Sequence, residues 1–276
     1  MKRTMNRVLF FLAAGLVAAS TAVSCIISIG GNGAVQVFQC TEEGIDHTEV
    51  REVGHFRAVA SSLPANVYYV QADKQEVRVE STEVLAPKVL TTVEDGKLSL
   101  KLEPGRYPKL ILRVVVSSPD IESLQVSGSG DLFHEGVLHA SGDLSLKVSG
   151  SGDMQIGSID SKDFSARCSG SGDIRIEGLS CDDFDGSVSG SGDFLAGKVT
   201  AKGDASARVS GSGDIRLNEV IADGDMDLKT SGSGNITVNG SCRDITAATS
   251  GSGNISGNLA HTGISTKTTG SGEIRL

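Results

Sequence analysis

Apolar and polar residues alternate along most of the chain after Val50, and no stretch carries the three-to-four-residue recurrence of a helix. The runs NVYYVQ, EVRVES, VLTTVEDGKLSLKLE and KLILRVVVSS therefore predict short strands. Asp95-Gly96, placed between two alternating runs, predicts a tight hairpin with positive φ at its central residues. From Leu124 a longer order is laid over the alternation. In DLSLKVSGSGDMQIGSI, the residues Leu144, Leu146, Val148, Gly150, Gly152, Met154 and Ile156 all fall on one face. The same places are held by Phe164, Ala166 and Cys168 in the following unit, and by Ala205, Ala207 and Val209 further on.

Between the two halves of each unit stands SGSGD, softened later to SGSGN and TGSGE. The closing residues are Asp131, Asp153, Asp173, Asp193, Asp214, Asn235, Asn254 and Glu273, at intervals of 22, 20, 20, 21, 21, 19 and 19. A near-constant period marks a solenoid, in which each unit buries its apolar face only against its neighbours. A lone Gly/Ser motif would read as a flexible linker, but copies in register with alternating strands do not. The predicted fold is all-β: a single-stranded, right-handed parallel β-helix of about 20-residue coils, two short strands per coil. The glycines would let the strand turn a corner around a slender interior while lying close to the coils above and below. Residues 126–276 form the repeat and residues 46–125 an N-terminal β segment that caps or starts it. The two are read as one continuous domain, 46–276.

The first residues change the picture of where the chain works. Lys2, Arg3 and Arg7 precede an apolar run from Val8 to Ala19 and then small residues, the layout of a secretory signal peptide over 1–24. Cleavage after Ala22 and cleavage before Cys25 are both compatible with this layout. In the second case AVSC supplies a lipoprotein-type site, and acyl chains on Cys25 would anchor the protein to a membrane. Residues 25–45 read as a tether. No acidic residue follows closely after Cys25, which favours an outer-membrane lipoprotein facing the periplasm over one at the cell surface.

Without the leader the chain keeps 22 basic and 34 acidic residues, a net of −12. An acidic chain with no tryptophan is a poor partner for nucleic acid. Of the five cysteines, Cys181 and Cys242 occupy equivalent places three coils apart, about 14 Å at the strand spacing, so no bridge is expected between them.

The column Asp131, Asp153, Asp173, Asp193 and Asp214 is the sharpest chemical feature. Carboxylates stacked about 4.8 Å apart repel by roughly 0.9 kcal/mol in water, which a row of weakly bound Ca²⁺ ions could relieve. The other reading is that these side chains cap the turn backbone. Lys147, Arg167, Arg208, Lys229 and Lys267 form a second column, with Arg175, Arg216 and Arg275 two residues beyond the acidic position, and these cations could offset the ladder without metal. No cofactor is expected. The histidines His47, His55, His134, His139 and His261 lack metal-site spacing, and His134 and His139 read as loop residues of the first coil.

The steps SGSGDI, SGSGNI and GSGNIS, preceded by LILRVVVSSPDIESLQVSGSGDL and a lipoprotein-like leader, resemble the family called putative auto-transporter adhesin, head GIN domain. The similarity runs from about Val50 to Leu276. It implies an exported or lipid-anchored protein of Gram-negative bacteria with a single-stranded β-helix, and it brings no catalytic residues. The resulting expectation is a non-enzymatic, adhesin-like or structural module of the cell envelope, meeting a glycan or an envelope protein through repeated Ser, Thr, Asp and Asn faces. The alternative is a carbohydrate-active β-helix enzyme. A pocket that interrupts the columns, lined by unlike carboxylates and an aromatic platform, would favour the enzyme.

Overall fold

Each repeat folds into two short strands that meet at the glycine motif, and every strand pairs in parallel with its counterpart one repeat later. Leu144–Val148 pairs with Phe164–Cys168 residue for residue, and Met154–Asp160 beyond the corner pairs with Ile174–Cys181. Continued along the chain, these pairings give an 11-stranded and a 12-stranded sheet. This computed structural model describes residues 36–37 and 40–276; the predicted leader and Cys25 lie outside them. Among the described residues the only helical element is a 3₁₀ turn, Ala86–Lys88. The parallel β-solenoid expected from the period is the fold observed.

The inward positions read from the alternation are the buried ones. Leu144, Leu146, Val148, Met154 and Ile156 are enclosed, as are their equivalents in later coils. Removing such side chains from water, at about 25 cal/mol per Å², is the main favourable contribution available to a coil this thin. Phe164, Phe184 and Phe194 stack through the interior with ring centroids 6.2 and 5.9 Å apart. Gly186 makes room for them, because a β-carbon there would sit 2.8 Å from the tip of Phe184. Where the last inward residue before a corner is polar, it is satisfied locally: Thr230 and Thr249 each donate to the carbonyl of the second corner glycine at 2.9 Å.

The N-terminal segment both caps and starts the solenoid, in an order the period does not reveal. The coil formed by Ala58–Ser61 and Asn66–Gln71 lies between the later coil 97–118 and the coil that opens the repeat at Ser123. The chain therefore runs down from its first coil, builds one beneath it, and returns to stack the repeat on top. Antiparallel strands His47–Arg51, Glu76–Ser81 and Val89–Glu94 close the lower end. The expected hairpin joins the last of these to Lys97–Leu102, with φ of 48° at Asp95 and 72° at Gly96. The folded body also reaches back into the segment read as a tether. Cys40–Thr41 pairs in parallel with Leu110–Ile111, and Cys40 is buried.

The corners show why the motif needs glycine. The paired glycines from Gly128 to Gly253 stay out of the left-handed region, so their conformational freedom is not what is used. What matters is the missing side chain. A β-carbon on Gly170 would lie 2.0 Å from the Gly150 carbonyl oxygen, and one on Gly172 would lie 2.1 Å from that of Gly152. That close approach carries the ladder around the bend. The Gly150 carbonyl accepts from both Ser171 and Gly172 N–H, at 3.0 and 3.3 Å, and the same bonds recur coil after coil. The serines of the motif are exposed except Ser129 of the first copy, whose hydroxyl is buried.

Gly170→Val or Gly172→Val sets a side chain against backbone that cannot swing away. Each is expected to destabilise by at least the 1–3 kcal/mol typical of overpacking, whereas the exposed Ser171→Val should have little effect. Thermal unfolding of the three variants beside the parent checks this. Serine as the most damaging site would reverse the inward and outward assignment.

Candidate functional site

The column closed by Asp131, Asp153, Asp173, Asp193 and Asp214 is brought into line at one corner, where its oxygens are engaged. One oxygen of each residue accepts the backbone N–H of the next member, at 2.8 Å for Asp131 to Asp153, 2.9 Å for Asp153 to Asp173, 2.7 Å for Asp173 to Asp193 and 2.8 Å for Asp193 to Asp214. Asn235 and Asn254 continue the ladder in the same way, which explains how Asn replaces Asp without breaking the repeat. The second oxygens of Asp153, Asp173, Asp193 and Asp214 meet arginine. Arg175 bridges Asp153 at 2.8 Å and Asp173, and Arg216 bridges Asp193 at 3.0 Å and Asp214 at 2.5 Å. Among the described residues, no group of three or more His, Cys, Asp or Glu side chains is placed to hold a metal ion.

The cationic column falls in register, but on the other sheet. Lys147, Arg167, Arg208, Lys229 and Lys267 align there through Ser187 and Ala248. Their partners are not the ladder aspartates. Arg208 spans Asp185 at 2.8 Å and Asp227 at 3.0 Å, Lys229 meets Asp227 at 2.7 Å, and Arg167 approaches Asp185 at 3.6 Å. Only the arginines two residues past the acidic position offset the corner column; Arg275 pairs with Glu273. A further acidic row, Asp143, Asp163, Asp183 and Asp204, borders a groove of about 640 Å³ floored by Phe164 and Phe184. Its sequence signal is an aspartate directly before the first inward residue of each coil. Here too backbone takes part: the Asp204 and Asp225 N–H groups donate to the preceding aspartates at 2.8 Å.

One place breaks the repetition. Strand Leu132–His139 pairs with Asn66–Gln71 only through Leu132 and Phe133 and then bulges at Gly136, where φ is +84°. Bulges re-aim side chains and end pairing. The strands part around a cleft of about 570 Å³ lined by Tyr68, Val70, Gln71, His134, Glu135 and Val137, with Phe133 and His139 beside them. Tyr68 and Phe133 stack at 5.3 Å at one end. The Tyr68 hydroxyl donates to Glu42 at 2.9 Å, and burial followed by that contact pushes its pKa up to about 12. At the other end the Gln71 amide replaces a strand partner, donating to the His139 carbonyl at 2.6 Å and accepting its N–H at 2.9 Å.

His134 and His139 are thus strand residues, not loop residues. His134 fills the inward position held by Ile156 and Ile176 in the next coils, with Nδ1 donating to the Tyr69 carbonyl at 3.0 Å. The cleft does interrupt the columns and does hold aromatics, but Glu135 is the one carboxylate among its lining residues. Buried cysteines offer no reactive thiol. Burial, reinforced by nearby aspartates, pushes Cys168 up to about 11 and Cys181 up to about 12.

Asp131 stands at the start of the ladder. Burial raises its pKa, with the charge of Asp153 adding to the shift against the Asp153 N–H and Arg175. A carboxyl whose folded pKa lies above its unfolded value is favoured when protonated, so its ionisation removes stability as pH rises. Asp131→Asn keeps the oxygen that accepts the Asp153 N–H, as Asn235 and Asn254 do. The variant should melt above the parent at pH 7, and the two should converge below about pH 4, where the aspartate is neutral in both states. A parent more stable than the variant at pH 7 would contradict this.

Comparison with known proteins agrees with this geometry. The family model "Putative auto-transporter adhesin, head GIN domain" matches residues 55–242. No curated protein matches the chain. Among solved structures, a "putative adhesin" from Parabacteroides merdae is similar at TM-score 0.77 and 18% identity, over 88% of this chain and 99% of that one. A "putative lipid binding protein" from Parabacteroides distasonis is similar at TM-score 0.75 and 22% identity, over 88% and 99%. A "putative adhesin" from Bacteroides fragilis gives TM-score 0.62 and 20% identity, over 83% and 95%. At these identities the likeness is one of fold.

Proposed function

The chain belongs to the auto-transporter adhesin head GIN domain family, and from that premise we propose that it is an exported, lipid-anchored, non-enzymatic binding or structural module of the cell envelope. The observation that carries this reading is the register of its outward residues. Polar side chains stand in straight columns on both sheets, and the corner serines of the later motifs are exposed. A stiff rod with repeating faces meets an extended partner, a glycan or an envelope protein, through many weak contacts whose effects combine. The acidic balance argues against nucleic acid. Cys25, once acylated, would hold the rod to the outer membrane, facing the periplasm.

Hydrolysis of a polysaccharide finds less support. Glycosidases of the common kind flank the bond with two carboxyl groups in unlike environments. Asp153, Asp173, Asp193 and Asp214 share one environment, each capping the next backbone N–H beside an arginine, and the cleft lining contributes Glu135 alone.

Two measurements test the proposal. Cys25→Ala should move the protein from the membrane fraction to the soluble fraction, and equal membrane recovery of variant and parent would remove the anchor from the account. A screen of the purified chain against glycans and purified envelope proteins should return a saturable partner without turnover. Release of reducing ends from any glycan would instead establish the enzyme.

A further inference from the structure

The place where the tether joins the solenoid limits how the rod can stand on a membrane. Gln36–Val37 pairs with Arg106–Tyr107 and Cys40–Thr41 with Leu110–Ile111, so the chain behind Cys25 docks on the coil 97–118, near the lower end. Glu42 fastens the join, accepting from Asn66 and Tyr68 at 2.9 Å and pairing with Arg113 at 3.3 Å. Eleven residue steps separate Cys25 from Gln36. Fully extended, they reach at most about 38 Å. From Arg113–Ser118 to Ile274–Arg275 the sheet takes nine strand steps, about 43 Å at the usual spacing. In the other direction two steps, about 10 Å, lead to His47–Arg51, the last strand at the lower end. A lipid on Cys25 can therefore lie level with the lower end but not with the far one.

Length alone leaves the rod free to lie flat, and charge separates the two arrangements. Residues 36–118 carry 10 basic and 12 acidic residues, a net of −2, whereas residues 119–276 carry 12 basic and 22 acidic, a net of −10. Laid along an anionic phospholipid surface, the repeat is repelled over its whole length. Stood on its lower end, it keeps most of its charge beyond the roughly 8 Å over which such a surface acts in physiological salt. The elements that close the lower end also expose aliphatic side chains. Val84, in the turn between Glu76–Ser81 and the 3₁₀ turn, is 84% exposed, Val50 on His47–Arg51 is 54% and Leu90 on Val89–Glu94 is 38%. Val84 is the most exposed large apolar side chain among the described residues. The far end exposes Ile264, on a strand whose other inward positions are Thr266 and Thr268. We propose that the rod stands on the bilayer by its lower end, with Val84 meeting the headgroup region and the repeat pointing away. The proposal rests on the reading of Cys25 as a lipid anchor and adds the surface that faces the membrane.

Tryptophan fluorescence tests it, because the chain has no tryptophan of its own. The mature chain from Cys25 is coupled through that thiol to a maleimide phospholipid; the cysteines among the described residues are buried and do not compete. It is then placed on vesicles of phosphatidylethanolamine and phosphatidylglycerol that contain a headgroup-nitroxide lipid as quencher. Val84→Trp reports on the lower end. Lys267→Trp, Arg275→Trp and Ser271→Trp report on the two sheets and the corner of the far end, and all four positions are exposed, so the fold is kept. Val84→Trp should lose most of its emission, and the far-end reporters should emit as they do on vesicles without quencher. Quenching of any far-end reporter as strong as that of Val84→Trp would show a rod lying flat or inverted and would overturn the proposal, as would an unquenched Val84→Trp. Either result leaves the anchor in place, because the lipid is supplied chemically. The anchor fails separately, if Cys25→Ala stays with the cell membrane as the parent does, and the proposal then falls with it.

Discussion

At each glycine corner the backbone of one coil rests on the backbone of the next, with a carbonyl oxygen standing about where a β-carbon would be. The 2.0 Å separation between a notional Gly170 β-carbon and the Gly150 oxygen states this constraint. Because the corner amides bond to the coil below, the hydrogen-bond ladder does not stop where the strand turns. Continuous pairing around the bend lets a coil of about twenty residues, too thin to hold a core of its own, borrow one from its neighbours.

The same stacking decides the chemistry of the surface. Equivalent residues fall in line, so any charged position becomes a column of like charges, and each column has to be offset within a small distance. The corner aspartates meet this by capping the next backbone N–H and sharing Arg175 and Arg216. On the other sheet Asp185 and Asp227 serve the same purpose among cations. These exposed pairs contribute modestly each, and their larger effect is to keep the register free of repulsion. The faces are thus structural before they are functional. The regularity itself breaks at the Gly136 bulge, where His134 bonds the Tyr69 carbonyl through Nδ1 and its buried Nε2 has no hydrogen-bond partner among the described residues.

Much of the repeat was legible in the sequence because its period, its alternation and its glycines all report one geometry. Leu144, Leu146 and Val148 could be placed inside, and Asp95-Gly96 in a turn, from local pattern alone. What could not be read depends on which strands become neighbours. The insertion of the 58–71 coil between two later ones follows from pairing across distant segments, and the partnership of Arg208 with Asp185 and Asp227 needs the register of three coils. Cys40, in a stretch without periodicity, gave no sign of pairing with Leu110. His134 looked like a loop residue because the bulge that follows it disrupts the alternation that would have marked it as inward. Departure from the pattern was itself the signal, and a single sequence does not say whether a departure is a loop or a site.

Amide hydrogen exchange across the repeat tests the central claim most directly. If the corners are backbone stacked on backbone, the Ser171, Gly172, Ser191 and Gly192 amides, each bonded to the coil below, exchange as slowly as those of the flanking strands Phe164–Cys168 and Ile174–Cys181 and open only with them. Corner amides that exchange as fast as the Asp95-Gly96 turn, while the strands stay protected, would show that the glycine motifs are loops and that continuous pairing does not hold the solenoid together.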